Sequence, residues 1–286
     1  MRVRPMKTTD LGAAERLTAR AFTWSGDDQT WSARSPAAAR RWIERIDHLL
    51  AVDAAGCWVA DDDAGRLAGV AVSARRDLLW ILSTFAVDPA GQNRGLGRAL
   101  LDAAIGYGAG CLRGMICALP HPGALRRYRR AGFTLHPTMR LRGVVDRAEL
   151  PVVDGVRMGT AADLDLVDSV DRQVRGATHR GDHAMLGRDG HLLVCDLFSG
   201  SGYVYVGTDT VTVLAATSRA VAQRLLWSAL ALIPPGNEVS VRYLTSGQEW
   251  AVDVGMAAGL GVYQDGYLAL RHMRPPAPYV PSVSFG

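Results

Sequence analysis

The sequence predicts an α/β (α+β) protein made of two tandem domains that share one order of elements. Three observations carry this expectation. From Val3 to about Asp146 the apolar periodicity switches in the order β-α-α-β-β-β-α-β-α-β. Within it, Ile81 to Leu101 reads as a strand, a glycine-rich turn and a helix. The opening Val3-Arg4 with Asp10-Leu11 recurs as Val156-Arg157 with Asp163-Leu164, at the same spacing of seven from valine to aspartate.

The first elements follow from local chemistry. Val3 to Met6 reads as a short strand, and Thr8-Thr9-Asp10 supplies a helix start ahead of Leu11, Ala14, Leu17 and Ala21. A second helix carries Trp42, Ile43, Ile46, Leu49 and Leu50 on one face. Cys57 to Ala60 and Leu67 to Val72 read as strands paired across the turn at Asp61 to Gly65. Leu78 to Val87 is the strand that delivers the glycine turn, and the helix after it places Ala99, Leu100, Ala103, Ala104 and Tyr107 at helical spacing. Gly114 to Leu119 reads as a buried strand stopped by Pro120-His121-Pro122-Gly123. A short helix, Ala124 to Arg130, and a strand, Met139 to Val145, close the first half.

Strand, glycine loop and helix in this order build an anion site. The first-turn amides of a helix lack intrahelical partners, and its dipole adds partial positive charge at the same end. The loop Gln92-Asn93-Arg94-Gly95-Leu96-Gly97 reads Q-x-x-G-x-G, a pattern that alone also fits a bare surface turn. Its context, a preceding F-A-V-x-P strand and a following amphipathic helix, resembles the acyl-CoA pyrophosphate loop of the GCN5-related N-acetyltransferase (GNAT) superfamily. The segment HPGALRRYRRAGF from His121 to Phe133 resembles the superfamily's N-x-x-A-x-x-x-Y-x-x-x-G-F element, with His121 where asparagine is usual.

That resemblance implies two tandem GNAT folds, each a mixed, mostly antiparallel sheet flanked by helices. It divides the chain into a catalytic, acetyl-CoA-binding domain over 1–146, a degenerate GNAT-like domain over 151–275, and a tail over 276–286. In the second half Ala258-Gly259-Leu260 echoes Ala131-Gly132-Phe133. Strands are expected at Leu192 to Asp196, Gly202 to Val206, Thr210 to Ala215 and Val239 to Leu244, with a helix at Ala220 to Leu232. The copy has no glycine loop, since Val213 to Ala220 joins strand to helix without one, and Gly255 stands where Tyr128 stands in the first half. The proline-rich tail reads as extended and separate. Pro275, Pro276, Pro278 and Pro281 nonetheless stiffen it, and Tyr279, Val280, Val283 and Phe285 give it apolar side chains to dock. A docked tail either staples the two domains or brings Gly286 into the active site as a carboxylate.

By the same resemblance the cofactor is acetyl-CoA or another acyl-CoA. It is held by the amides of Gln92, Asn93, Arg94, Gly95, Leu96, Gly97 and Arg98 and by free backbone groups of Phe85, Ala86 and Val87. Tyr128 matches the tyrosine that protonates the CoA sulfur; the other reading is a ring that packs on pantetheine. Many relatives carry a carboxylate base on the strand before the loop, where this chain has Ser83-Thr84. Those hydroxyls are no bases at pH 7, though they can hold a water that passes a proton. An alkylammonium with a pKa near 10.4 is neutral about one time in 10³ at pH 7, so the identity of the base stays open. His121 is read as a donor to pantetheine, as a base through water, or simply as a strand end. The acceptor side falls to Trp24, Asp27, Asp28 and Trp31, whose aromatic faces and carboxylates suit a cationic amine and equally suit a solvated turn with core tryptophans.

Composition narrows the classes. At 286 residues and 48% apolar, two ordinary cores are available. Net charge is +4, but Lys7 is the only lysine, and the one dense basic cluster, Arg126-Arg127-Tyr128-Arg129-Arg130, lies beside the expected phosphate site. Nucleic acid is therefore not the expected partner. Cys57, Cys111, Cys117 and Cys195 have no metal spacing, so no metal is expected. No apolar run is long enough to span a membrane and no signal segment is visible, so a cytoplasmic monomer or homodimer is expected. The leading function is N-acyl transfer to a small-molecule amine; a CoA-binding sensor without turnover is the alternative.

Overall fold

A computed structural model of the chain describes residues 2–22, 34–92, 94–188 and 190–286. The first half contains β1 (Arg2–Pro5), α1 (Leu11–Phe22), α2 (Pro36–Val52), β2 (Cys57–Asp61), β3 (Leu67–Arg76), β4 (Leu79–Val87), α3 (Leu96–Tyr107), β5 (Arg113–Ala118), α4 (Pro122–Arg130) and β6 (Thr134–Val144). The second half repeats that order with β7 (Val156–Met158), α5 (Leu164–Val174), α6 (His183–Leu186), β8 (His191–Leu197), β9 (Gly200–Val206), β10 (Val211–Ala216), α7 (Arg219–Leu232), β11 (Glu238–Leu244), α8 (Glu249–Ala257) and β12 (Gly261–Arg271). A two-residue strand, β13 (Tyr279–Val280), follows.

The chain forms two compact units. One takes the residues up to Met115 together with His121–Arg127; the other takes Ile116–Pro120 and everything from Tyr128 to Gly286. This partition differs from the boundary near residue 146 that the sequence suggests, because β6 pairs antiparallel with β12 on one side and β11 on the other. Strand β6 also begins at Thr134, ahead of the expected Met139.

In the first unit β1, β2, β3 and β4 form an antiparallel ladder in that order. The faces expected from periodicity hold the buried residues on α1 (Leu11, Ala14 and Leu17) and α2 (Trp42, Ile46 and Leu49); on α3 the buried residues are Leu100, Leu101 and Ala104, while Ala99, expected on that face, is exposed. The pairing of β3 with β4 has an irregularity within the strand that leads to the glycine loop. Val72 pairs with Thr84 and Ser73 with Leu82, so Ser83 is an extra residue in β4, a β-bulge.

In the second unit β7, β8, β9, β10 and β13 form an antiparallel sheet. Helices α7 and α8 share a core with it and with β6 and β11, built from Leu214, Leu225, Leu226, Val241, Trp250 and their neighbours. The tail is not separate. Residues Tyr279–Val280 add a strand to β10, and Tyr279, Val280, Ser282 and Phe285 are buried. Polar groups hold it in place: Gln248 Nε2 donates to the Pro276 carbonyl at 2.8 Å and Gln248 Oε1 accepts the Tyr279 amide hydrogen at 3.1 Å. The buried Arg175 donates to the carbonyls of Ala177, Thr178 and Phe285 at 2.8–2.9 Å. The Gly286 oxygen accepts from Tyr279 Oη at 2.7 Å and Ser282 N at 3.2 Å, and lies 3.3 Å from His179 Nε2. Asp171, fully buried, receives His179 Nδ1 at 2.6 Å and the Tyr203 hydroxyl. Burial of its apolar side chains and saturation of its carbonyls make the tail a structural part of this unit.

Candidate active site

The site is built where β4 hands the chain to α3. Asp88 caps the short turn Pro89–Gly91 by accepting the Ala90 amide hydrogen at 3.1 Å, and its other oxygen pairs with Arg20 at 2.9 Å. Gln92 Nε2 donates back to the Val87 carbonyl at 3.4 Å, tying the loop to the end of the strand. Gly95 then takes the N-cap of α3 at φ +84°, a left-handed conformation that glycine enters without steric cost. It has no side chain to cap with, so the amides of the first turn stay open to an outside acceptor.

Gly97 serves a different need. A Cβ placed there would lie 3.2 Å from Arg127 Nε and 3.3 Å from Val87 Cγ2, so the strand and a guanidinium close directly on the helix start. Arg127 thus sets a full positive charge beside amides that already carry the positive end of the helix dipole. Arg94 and Arg98 add exposed charge, the latter in a weak contact with Asp102 at 3.5 Å. Three arginines and uncovered amides suit a polyanion such as a pyrophosphate, and the space at Gly97 is a cradle that a side chain would fill. Sequence reasoning placed Arg127 only in a basic cluster and not among the ligand-holding residues; its position just before Tyr128 on α4 was the available signal.

Of the expected chemical residues, Ser83 lies at the β4 bulge with Oγ buried and without a hydrogen-bond partner among the described residues. Thr84 follows it, 5% exposed, and Ala86 is buried while Phe85 and Val87 are partly so. His121 stands at the start of α4. Its Nδ1 accepts the Ala124 amide hydrogen at 3.3 Å, and its carbonyl accepts from Leu125 at 3.0 Å. Tyr128 lies in the last turn of α4 and is 4% exposed. Trp24, Asp27, Asp28, Trp31 and Asn93 lie outside the described residues. Among the described residues no group of three His, Cys, Asp or Glu side chains is gathered for a metal, and no helix is long and apolar enough to cross a membrane.

The copy shows a contrast at the equivalent helix. Ser218 is the N-cap of α7, and its hydroxyl accepts the Val221 amide hydrogen at 3.4 Å, so one of the first-turn donors is already used. Nothing there corresponds to Gly95.

Antiparallel strands, a bulge and a helix start without a side-chain cap, with arginines beside it, define an α/β protein with an open helix N-terminus. Residues 17–133 match the model of the acetyltransferase (GNAT) family. Solved structures extend the likeness to the full length. A proposed acetyltransferase from Pyrococcus horikoshii superposes with a TM-score of 0.76 at 15% identity, covering 100% of this chain and 95% of that one. A GCN5-related N-acetyltransferase from Sphaerobacter thermophilus gives 0.61 at 16%, covering 96% of each. A tandem GNAT protein from the clavulanic acid biosynthesis pathway gives 0.63 at 15%, covering 94% of this chain and 97% of that one. At these identities the likeness is one of fold, and it makes the chain a tandem GNAT fold. No curated protein matches the sequence.

Proposed function

We propose that the protein is an acyl-CoA-dependent N-acyltransferase, with acetyl-CoA as donor and a small-molecule amine as acceptor. The observation that carries this reading is the helix start at Gly95–Gly97, left without a side-chain cap and closed on by Arg127 and Val87. The cofactor supplies an activated thioester. The residues that would hold it are Gln92, Arg94, Gly95, Leu96, Gly97 and Arg98, with Arg127 added to the set, and the backbone of Phe85 to Val87. The contrast between Gly95 and Ser218 supports a single cofactor site, with 151–275 a degenerate copy.

Tyr128 is the proposed general acid, since a phenol of pKa near 10 can protonate a thiolate of pKa near 8.5. Ser83 and Thr84 hold a water that takes the amine proton outward. The bulge and the unpartnered Ser83 Oγ support that assignment, because bulges re-aim side chains near active sites and a buried hydroxyl without a partner is costly. His121 acts as a donor to pantetheine. Trp24, Asp27, Asp28 and Trp31 remain proposed acceptor contacts on sequence grounds alone. A free-thiol release assay with acetyl-CoA over a panel of amines tests this reading. Steady release with at least one amine is expected; binding of acetyl-CoA without release on any amine favours a CoA-binding sensor.

A further inference from the structure

Strands β12, β6 and β11 of the second unit carry a cluster of polar side chains that the reaction outlined above does not use. The register of β11 on β6 shifts between Val241 and Leu244, and that of β12 on β6 shifts between Gln264 and Tyr267. The first irregularity falls opposite Arg140 and the second opposite Thr138 on the middle strand, because Leu141 pairs with Val241, Met139 with Leu244 and Gln264, and Pro137 with Tyr267. Leu141 and Val241 belong to the apolar core and Met139 packs against it, so strand alternation places Thr138, Arg140 and Arg242 on the opposite face.

The two bulges bring Arg242 and Asp265 together. Arg242 Nε donates to Asp265 Oδ2 at 3.1 Å and Nη2 to Oδ1 at 2.6 Å, and the Tyr243 amide donates to Oδ2 at 3.1 Å. Tyr243, 2% exposed, sits at φ +58°, a left-handed conformation that costs a bulky residue energy and recurs at functional sites. The Arg242 guanidinium lies 4.9 Å over its ring. Carboxylate and ring fix the guanidinium plane, and the pairing with Asp265 leaves the Nη1 edge of the fork for another acceptor. The Arg242 side chain is 22% exposed.

Two polar atoms on β6 have no hydrogen-bond partner among the described residues although they are buried: Thr138 Oγ1, on a residue 5% exposed, and Arg140 Nε. Arg140 lies over the Tyr263 ring at 6.0 Å. Arg142, next along the same face, is neutralised by Glu238 at 2.7 Å. Arg140 and Arg242 against Asp265 leave one net positive charge, which matches a monoanionic carboxylate better than a phosphate dianion.

We propose that Arg242, Arg140 and Thr138 form a carboxylate-recognition site, and that the acceptor is accordingly an amine carrying a carboxylate, in the manner of an amino acid. The arginine fork takes the two carboxylate oxygens and the Thr138 hydroxyl donates to one of them. The assignment of this ligand as acceptor rests on the transferase reading.

The test pairs α-amino acids with their α-amides, first in calorimetric binding to the full chain and then in the thiol-release assay with acetyl-CoA. Discrimination in favour of the carboxylate by roughly tenfold or more is expected in Kd, and in kcat/KM mainly through KM. Thr138→Val, which keeps the shape and removes the hydroxyl, and the double variant Arg242→Gln with Asp265→Asn, which leaves no buried charge unpaired, should each shrink it while acetyl-CoA affinity stays within about twofold. Equal binding of acids and amides by the wild type overturns the proposal, as does discrimination unchanged in both variants. Carboxylate binding without thiol release on any acceptor would fail the transferase reading and keep the site; release without preference for carboxylates would do the reverse.

Discussion

Arg4 holds Asp10 through both terminal guanidinium nitrogens, at 2.8 and 2.9 Å, and Asp10 accepts the Lys7 amide hydrogen at 2.8 Å. The second half rebuilds the same device. Arg157 pairs with Asp163, and Asp163 accepts the Thr160 amide hydrogen at 2.8 Å. A repeat visible as four letters is thus a joint that ties the first strand of each copy to its first helix.

The joint predicts acid sensitivity of a definite sign. Hydrogen bonds from Arg4 and Arg157 hold the Asp10 and Asp163 carboxyls below their ordinary values. The unfolded chain, with carboxyls near 3.9, therefore binds more protons in the window below that value, and stability rises with pH there. The contribution is complete above about pH 4 and is lost as pH falls through the folded values. Melting temperature followed from pH 6 to pH 2 should fall less steeply below pH 4 in the Asp10→Asn, Asp163→Asn double variant than in the wild type.

The tail is predicted to be a structural element of the second unit. Arg175 is 2% exposed and saturates three carbonyls, one of them at Phe285. Leaving buried carbonyls unpaired costs about 1–3 kcal/mol each, so Arg175→Ala should destabilise by roughly 3 kcal/mol or more. Thermal unfolding should shift down by about 6–12 °C on that basis. Deletion of Tyr279 to Gly286 should lower it at least as far, and a deletion variant with an unchanged melting curve would show the tail to be an appendage.

Tyr128→Phe is predicted to lower kcat by about 10²–10⁴ while acetyl-CoA affinity stays within a few fold, as removal of a general acid should. Full kcat in this variant would make Tyr128, 4% exposed, a packing residue.

Much of this architecture was legible locally. The β-rich run of β4, the break at Asp88-Pro89 and the glycine at a position of φ +84° announce strand, turn and helix within twenty residues. What was not legible depends on partners far away in the chain. Pro137 argues against a strand through Thr134–Val144, yet it faces an irregularity opposite Tyr267, where the ladder does not need its missing amide hydrogen. The partners of β6 on β11 and β12 lie about a hundred residues on, and no local pattern names them. The Ser83 bulge is a mismatch between two strands and cannot be read from either. Arg175 reaches a carbonyl 110 positions away, so the tail looked separate where only its composition spoke. Helix α6 has four residues, too few to show a helical period.

The central claim is that the Gly95–Gly97 helix start holds the acyl-CoA, and the most direct measurement is calorimetric titration of acetyl-CoA into the wild type and into Gly97→Val. The Cβ of the branched side chain would lie 3.2 Å from Arg127 Nε and 3.3 Å from Val87 Cγ2, so that the guanidinium and the strand must give way at the helix start. The account predicts binding to the wild type and loss of measurable binding to a variant whose melting temperature is close to normal. Equal affinity of the two proteins for acetyl-CoA would contradict it.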